Sequence, residues 1–91
     1  MVPRMNNKGY ACRVCGLLQP GKPWGDDGKS PTYDICVCCG VEFGLGDENL
    51  SGVHFYRNWW INKGRPWRLP QRKPENWDWE VQLQNVPEPF R

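Results

Sequence analysis

The segment 51–63 carries the clearest helical pattern in the chain. Its apolar positions recur on one face of a helix: Val53, Tyr56 and Trp60. Asn49 or Ser51 can cap the first turn, because a short polar side chain accepts N–H groups that have no partner within the helix. Gly64 can adopt the left-handed conformation that commonly ends a helix. The pattern therefore predicts one helix, which occupies residues 49–64 with its capping residues.

Shorter patterns predict strands elsewhere. Residues 77–83 alternate between large apolar and polar side chains, as in a strand with one face in water. The helical alternative for this segment rests on three positions: Trp79, Leu83 and Val86. We prefer the strand, and we expect two further short strands around 10–12 and 32–36. Prolines at every fourth position exclude regular structure from 65–74 and favour an extended crossing.

The composition is that of one small domain with an aromatic core. The chain has 91 residues, of which 38% are hydrophobic, and it contains six Trp, three Tyr and three Phe. Because aliphatic side chains are few, we expect the tryptophans, including Trp67, to form much of the core. The single domain is predicted at 10–86. Its parts and flanks, in chain order, are a flexible tail (1–9), a metal-binding half (10–48), a helix (49–64), a Pro/Trp-rich arm (65–86) and a second tail (87–91).

Two C-x-x-C-Gly motifs are the strongest chemical signal. Two residues between the thiols form a turn that lets both sulfurs reach one metal ion at ~2.3 Å. The glycine after each pair accepts a positive φ, which turns backbone N–H groups toward the sulfurs. The full array, C-x2-C-x20-C-x2-C, is typical of a four-thiolate metal site. Buried free thiols are the alternative, and disulfides are the least favoured. The predicted ligands are Cys12, Cys15, Cys36 and Cys39.

Spacing separates the fifth cysteine, Cys38, from the predicted ligands. Only Cys39 completes the two-residue spacing after Cys36, and it alone is followed by a glycine, Gly40. We therefore expect Cys38 to point away from the metal and to fill space as a small, partly buried side chain. A redox role for Cys38 is the alternative.

Two stretches resemble the paired knuckles of rubredoxins and zinc ribbons: Tyr10-Ala-Cys12-Arg-Val-Cys15-Gly16 and Ile35-Cys36-Val-Cys-Cys39-Gly40-Val-Glu-Phe43. The run Tyr33-Asp-Ile-Cys36 is also similar to small bacterial cysteine-rich proteins of the CPCC type. Rubredoxins are typically more acidic and have more widely spaced knuckles, and the CPCC type tends to have Pro-Cys in place of Arg13-Val14. The resemblance covers about 10–48. It implies a small metal-stapled α+β domain with zinc-ribbon or rubredoxin-like knuckles, short antiparallel strands, one helix and an aromatic-rich C-terminal arm.

Zinc is the expected metal, with iron as the alternative, since both accept four sulfurs in a tetrahedron. Four thiolates with one divalent ion carry a charge of about -2, which offsets the formal charge of +2 on the chain. Arg13 stands between two predicted ligands and can moderate this local negative charge.

The expected location is the cytoplasm, without a membrane anchor. No stretch approaches the ~20 apolar residues that span a bilayer. The first residues contain no apolar run of the kind found in secretion signals. An odd number of cysteines without such a signal favours a reducing compartment.

Few side chains are suited to catalysis, and we expect a non-enzymatic protein. His54 is the only histidine, Ser30 and Ser51 are the only serines, and a closed four-cysteine site leaves no position for substrate. Residues 47–52 match the first half of a calcium loop, but Asn58 occupies the position that requires a bidentate glutamate. Turn formation and capping are therefore the preferred role of 47–52.

Charge is distributed unevenly along the chain. Residues 49–74 carry six basic and no acidic side chains, whereas the net charges of 1–48 and 75–91 are -1 and -3. The basic residues interleave with tryptophans, a combination that proteins use to bind single-stranded nucleic acid. The alternative is a tryptophan core with cations that balance the acidic residues of 75–91 and the metal site. The candidate contacts to nucleic acid are Arg57, Lys63, Arg65, Arg68, Arg72 and Lys73.

Three functional hypotheses remain, and they belong to different classes. The first is a cytoplasmic module with a structural zinc ion that binds another protein. The second is a nucleic-acid-binding zinc ribbon that uses the segment 57–73. The third is a rubredoxin-like iron protein that carries electrons. The sequence does not specify an oligomeric state.

Overall fold

The computed structural model describes residues 9–91, in which two α-helices are the longest regular elements. Helix α1 spans Leu50–Asn62, helix α2 spans Trp79–Leu83, and two 3-10 turns occupy Pro70–Arg72 and Glu88–Phe90. The tail predicted at 1–9 falls, apart from Gly9, outside the described residues. Within 9–91, neither helix is long and apolar enough to cross a membrane.

The short strands predicted at 10–12 and 32–36 are not present as strands. Across residues 9–91, pairing is limited to isolated antiparallel bridges: Ala11 with Leu18, Ile35 with Glu42, and Glu42 with Leu45. Each C-x-x-C-Gly turn reverses the chain so tightly that a single residue on either side can pair before the two arms diverge. The cysteine-rich half therefore consists of turns rather than of a sheet.

Helix α1 lies where the apolar pattern predicts a helix. Its buried face carries Val53 and Trp60, and Gly64 follows the helix with a φ of 94°. The indole Nε1 of Trp60 donates a 2.9 Å hydrogen bond to the carbonyl oxygen of Pro66. This bond fixes the start of the C-terminal arm against the helix.

The turn before α1 confirms the capping interpretation of residues 47–52. The Asn49 side chain accepts a 2.8 Å hydrogen bond from the Gly52 N–H, which caps the helix. Asp47 is fully buried, and its carboxylate accepts hydrogen bonds from Trp24 Nε1 at 2.9 Å and from the Gly44 N–H at 2.7 Å. Both oxygens of this candidate calcium ligand are thus used within the protein.

Residues 77–83 do not form the preferred strand, because helix α2 occupies most of this segment. The Asp78 carboxylate caps it by accepting the N–H groups of Glu80 at 3.0 Å and Val81 at 3.2 Å. Because the segment is helical, the Gln82 side chain reaches the cysteine-rich half. The alternating pattern of a strand does not predict this contact.

The core is built around the cysteines. Five further side chains are fully or almost fully buried against them: Val14, Val41, Phe43, Val53 and Trp60. Trp67 is 8% exposed and stands edge-on to Trp77, with ring centroids 5.4 Å apart, so its predicted core position is confirmed. Phe55 and Trp59 are different, because 76% and 46% of their surfaces are exposed on α1.

Candidate metal centre

The first knuckle comprises residues 11–18 and carries two of the predicted ligands. The Cys12 N–H donates to the Leu17 carbonyl oxygen at 2.9 Å, and the Gly16 N–H donates to the Cys12 carbonyl oxygen at the same distance. Gly16 has a φ of 85°, which a side chain would make unfavourable. The backbone therefore folds back on itself and directs both thiols to one side.

The second knuckle, residues 35–42, repeats this geometry. The Cys36 N–H donates to the Val41 carbonyl oxygen, and the Gly40 N–H donates to the Cys36 carbonyl oxygen, both at 2.9 Å. Gly40 has a φ of 86°. The two C-x-x-C-Gly motifs thus form the same turn twice, as their sequences predict.

The two knuckles bring four sulfur atoms together. Cys12 Sγ lies 3.7 Å from Cys39 Sγ, and Cys15 Sγ lies 3.7 Å from Cys36 Sγ. All four sulfurs lie within 4.8 Å of one another. Four ligands at ~2.3 Å from a central ion form a tetrahedron with edges of about 3.8 Å, so the observed spacing fits a metal ion. The structure therefore gathers all four predicted ligands into a cluster that can hold a metal.

The four-cysteine cluster is closed to solvent. None of its members exposes more than 5% of its surface. With four sulfur ligands, a tetrahedral ion has no open position for water or substrate, which is the coordination of structural metal sites.

Burial and neighbouring thiols shift the pKa of three of these cysteines, in opposite directions. Loss of hydration raises the pKa of Cys15 and Cys39 well above the ordinary thiol value, since the charged form is the one that burial disfavours. Hydrogen bonds from neighbouring thiols, Cys12 first, lower the pKa of Cys36. A cation that occupies the cluster must displace the remaining protons, and its binding is therefore linked to pH.

Two N–H groups outside the ligand set point at the sulfurs. The Val14 backbone N–H donates to Cys12 Sγ at 3.4 Å, as the turn geometry leads one to expect. The Gln19 side-chain amide donates to Cys36 Sγ at 3.5 Å and to the Leu17 carbonyl oxygen at 3.0 Å. Sequence reasoning missed Gln19, because its position relative to Cys36 depends on how the two knuckles meet.

Cys38 is buried but is not one of the four clustered cysteines. The Gln82 side-chain amide donates to Cys38 Sγ at 3.5 Å and to the Cys15 carbonyl oxygen at 3.1 Å. Trp77 Nε1 in turn donates to Gln82 Oε1 at 2.8 Å. Cys38 thus lies outside the cluster as predicted, and Gln82 joins both knuckles to helix α2.

Arg57, one of the candidate nucleic-acid contacts, lies against backbone carbonyl groups. Its Nε donates to Val14 at 2.7 Å, and its Nη2 donates to Arg13 at 2.8 Å and to Phe90 at 2.9 Å. Burial lowers the pKa of Arg57. The side chain ties the first knuckle and the C-terminal residues to α1, so its hydrogen-bonding groups face the interior.

The other five candidates form a basic strip that is free of ion pairs: Lys63, Arg65, Arg68, Arg72 and Lys73. Within residues 9–91, the only Lys or Arg with a carboxylate oxygen inside 4.0 Å is Lys22, beside Asp26. Ion pairs with the acidic residues of 75–91, which are one part of the alternative, are therefore not observed among residues 9–91. Three members of the strip instead lie over tryptophan rings, and the cation-ring pairs are Lys63 with Trp59, Arg65 with Trp79, and Lys73 with Trp77.

Arg13 does not point at the sulfurs, although it stands between Cys12 and Cys15. Its guanidinium lies between two rings, 3.9 Å from the Trp24 centroid and 4.0 Å from the Phe90 centroid. Burial lowers the pKa of Arg13, whereas the nearby Asp47 carboxylate acts in the opposite direction. The knuckle thus presents Arg13 to a cleft on the side of the molecule that holds Trp24 and Phe90.

Comparison with known proteins places the chain among bacterial relatives. No protein-family model and no solved structure matches it. It is 30% identical over 84 residues to the uncharacterised protein YozI of Bacillus subtilis, which covers 72% of this chain and 68% of that protein. It is 32% identical over 88 residues to the uncharacterised protein YoaQ of the same species, covering 78% of this chain and 73% of that protein. The chain belongs to the family that contains YozI and YoaQ.

Proposed function

We propose that the protein is a small, non-enzymatic binding module whose fold depends on a structural zinc ion held by Cys12, Cys15, Cys36 and Cys39. The observation that carries this proposal is the spacing of the four sulfurs, with two separations of 3.7 Å close to the edge of a zinc–thiolate tetrahedron. The repeated knuckle geometry supports assignment to the rubredoxin-like and zinc-ribbon class. The closed cluster supports a structural rather than a catalytic ion.

Zinc is preferred to iron because a buried, fully coordinated structural site requires no redox chemistry. Arg57 lies close enough to Cys12 and Cys15 for the negative charge of their thiolates to raise the pKa of its guanidinium, against the larger effect of burial. The five cysteines form no disulfide, which supports a reducing compartment such as the cytoplasm.

Elemental analysis of the purified protein tests the metal assignment. We expect about one zinc per chain, a colourless solution, and unfolding by a strong chelator, because such ions contribute about 10–16 kcal/mol to folding. If the purified protein is red and contains iron, the rubredoxin-like electron carrier becomes the favoured hypothesis. A folded protein without metal would refute the proposal.

A protein partner is the binding role that we propose first. Phe55 and Trp59 are one turn apart on α1 and are largely exposed, and aromatic side chains of this kind dominate the energetics of protein interfaces. We expect a protein that binds the wild-type chain to bind Phe55→Ser much less well. Val81→Ser is the matched control, since Val81 is 58% exposed on α2 rather than α1. Equal capture by all three proteins would refute α1 as the interface.

The absence of ion pairs along the basic strip favours single-stranded nucleic acid as a second candidate. Cations that have no carboxylate within 4.0 Å are free to neutralise phosphates. We expect oligonucleotide affinity to fall with salt, with a slope of about -0.7 per neutralised phosphate. Replacing Arg68 and Arg72 with Gln should flatten that slope by roughly 1.4, whereas Lys22→Gln should leave it unchanged. A slope that is the same in all three proteins would exclude the strip as the contact.

A further inference from the structure

A cleft of about 670 Å³ opens between the turn at 22–28 and the C-terminal residues, on the side of the first knuckle where Arg13 emerges. Its walls are formed by aromatic rings and prolines: Tyr10, Pro23, Trp24, Pro87, Pro89 and Phe90. Sites for small molecules have volumes of this order, with apolar walls and a few polar groups that fix the ligand. The cleft therefore has the size and the lining of a ligand site.

Arg13 is one of the charged groups that line this cleft. Its Nη1 donates to the Asp47 carbonyl oxygen at 3.0 Å, and its Nη2 donates to the Gly28 carbonyl oxygen at 3.2 Å. The remaining N–H groups of the guanidinium have no hydrogen-bond partner among residues 9–91. The rings of Trp24 and Phe90 on its two faces hold the guanidinium plane in place. Arg13 thus presents an oriented cation with unused donors.

Asp26 and Asp27 also line the cleft, and among residues 9–91 neither carboxylate accepts a hydrogen bond from Arg13. The Asp27 carboxylate accepts hydrogen bonds from the Lys29 N–H at 2.8 Å and the Ser30 hydroxyl at 2.9 Å, both within its own turn. Asp26 is almost completely exposed and pairs with Lys22 at the rim, at 3.3 Å. Arg13 therefore keeps its free N–H groups, although Asp26 and Asp27 share the cleft with Arg13 and Lys22.

The tryptophan wall offers a ring face but no donor. Trp24 Nε1 already donates to the buried Asp47 carboxylate, so it cannot bind the carbonyl groups of a proline-rich peptide. Recognition in this cleft rests on the aromatic faces and on Arg13. A planar apolar group with an attached anion satisfies both.

We propose that this cleft binds a small aromatic carboxylate, with its ring against Tyr10 and the prolines of the wall and its carboxylate on the free N–H groups of Arg13. Arginine forms paired hydrogen bonds with carboxylates, which are stronger than bonds to a neutral acceptor. This site is separate from the protein-binding role proposed above, and it uses none of the four cysteine sulfurs. Because Arg13 lies between Cys12 and Cys15, a metal ion held by these two thiols would also fix the backbone from which Arg13 reaches the cleft.

Titration of the metal-loaded full chain with 2-naphthoate tests the proposal, with neutral 2-naphthamide as the matched ligand. We expect saturable binding of one naphthoate per chain, about tenfold tighter than naphthamide, because hydrogen bonds from arginine to a charged acceptor are stronger than those to a neutral one. In nuclear magnetic resonance spectra, the Trp24 indole N–H signal should shift during the titration, and that of buried Trp67 should not. Equal binding of acid and amide, or no shift at Trp24, would overturn the proposal.

Three variants locate the anion within the molecule. Arg13→Lys keeps the charge but loses the planar fork, and we expect about tenfold weaker naphthoate binding with unchanged metal content. Lys22→Gln should weaken binding only two- to threefold, roughly the effect of removing one exposed charge, since Lys22 already pairs with Asp26. Arg72→Gln, an exposed cation outside the cleft, should bind as the wild type does. If Arg13→Lys does not fold, the ligand pair and the Trp24 signal in the wild-type protein still decide the outcome. A loss at Arg72 that equals the loss at Lys22 would refute the assignment to the cleft.

Discussion

Gly16→Ala measures how closely helix α2 approaches the first knuckle. Gly16 and Gly40 occupy equivalent positions in the two knuckles and have nearly the same φ, 85° and 86°. A Cβ atom at Gly16 would lie 2.1 Å from the Gln82 carbonyl oxygen and 3.2 Å from the Leu83 Cα, both of which are backbone atoms. A Cβ atom at Gly40 would meet only side-chain atoms, the Tyr56 hydroxyl at 3.4 Å and the Arg68 Cβ at 3.9 Å. The two substitutions therefore share the backbone strain and differ in the clash.

The expected magnitudes follow from these distances. A side chain in the left-handed region costs about 1–2 kcal/mol, which is the full effect expected for Gly40→Ala. At Gly16 the clash must also move α2, which withdraws the Gln82 amide from the Cys15 carbonyl oxygen. Loss of that part-buried hydrogen bond adds about 1–3 kcal/mol, so that Gly16→Ala should cost about 2–5 kcal/mol in total.

Urea denaturation of the metal-loaded variants provides the measurement. Gly28→Ala serves as a baseline, because Gly28 has a φ of 72° and its Cβ atom would meet nothing within 4 Å. We expect the free energy of unfolding to fall least for Gly28→Ala and Gly40→Ala, and most for Gly16→Ala. If Gly16→Ala and Gly40→Ala lose the same free energy, helix α2 does not pack on the first knuckle as described.

Three further predictions concern the metal ligands and the helix cap. Cys38→Ser should keep about one metal per chain by elemental analysis and Cys39→Ser should lose it, and the reverse result would exchange their roles. Asn49→Ala should lower the free energy of unfolding by about 1 kcal/mol in denaturation experiments, because it removes the cap of α1, and an unchanged stability would contradict the capping bond. Acidification should release the metal, detectable with a chromophoric chelator. Burial raises the pKa of Cys15 and Cys39, so protons displace the metal as the pH falls, and retention of metal in acid would contradict this.

Local spacing explains which parts of the fold were predictable. The two residues between paired thiols and the glycine that follows determine the turn, so the four clustered cysteines could be named from the sequence. Helix α1 was predictable because its thirteen residues give the apolar period room to repeat. Segment 77–83 is too short for its apolar residues to distinguish the helical period from the strand period, and both periods fit it. The contact that distinguishes them, Gln82 on the Cys15 carbonyl oxygen, joins residues far apart in the chain.

Arg57 shows a different limit of sequence interpretation. It falls among the six candidate nucleic-acid contacts because charge patterns record the sign of a side chain and not its neighbours. Its position does carry a signal, since Val53, Arg57 and Trp60 share one face of α1 and the outer two are buried. An arginine within an apolar stripe must satisfy its N–H groups inside the protein, and here it uses the carbonyl groups of the first knuckle. Its loss should therefore affect folding more than binding.

The four-cysteine cluster lies where every other part of the domain meets. The Tyr56 hydroxyl of α1 donates to the Cys39 carbonyl oxygen at 3.2 Å, Gln82 of α2 reaches Cys15, and the Arg68 N–H of the C-terminal arm donates to the Cys38 carbonyl oxygen at 3.0 Å. No sheet joins the two knuckles within residues 9–91, because the isolated bridges pair residues inside one knuckle, Ala11 with Leu18 and Ile35 with Glu42, or link the second knuckle to Leu45. A shared metal ion would therefore be the principal link between them. The free energy of metal binding is comparable to the whole stability of a small domain, about 5–15 kcal/mol. Removing the metal should therefore unfold both helices in one transition, rather than one knuckle at a time.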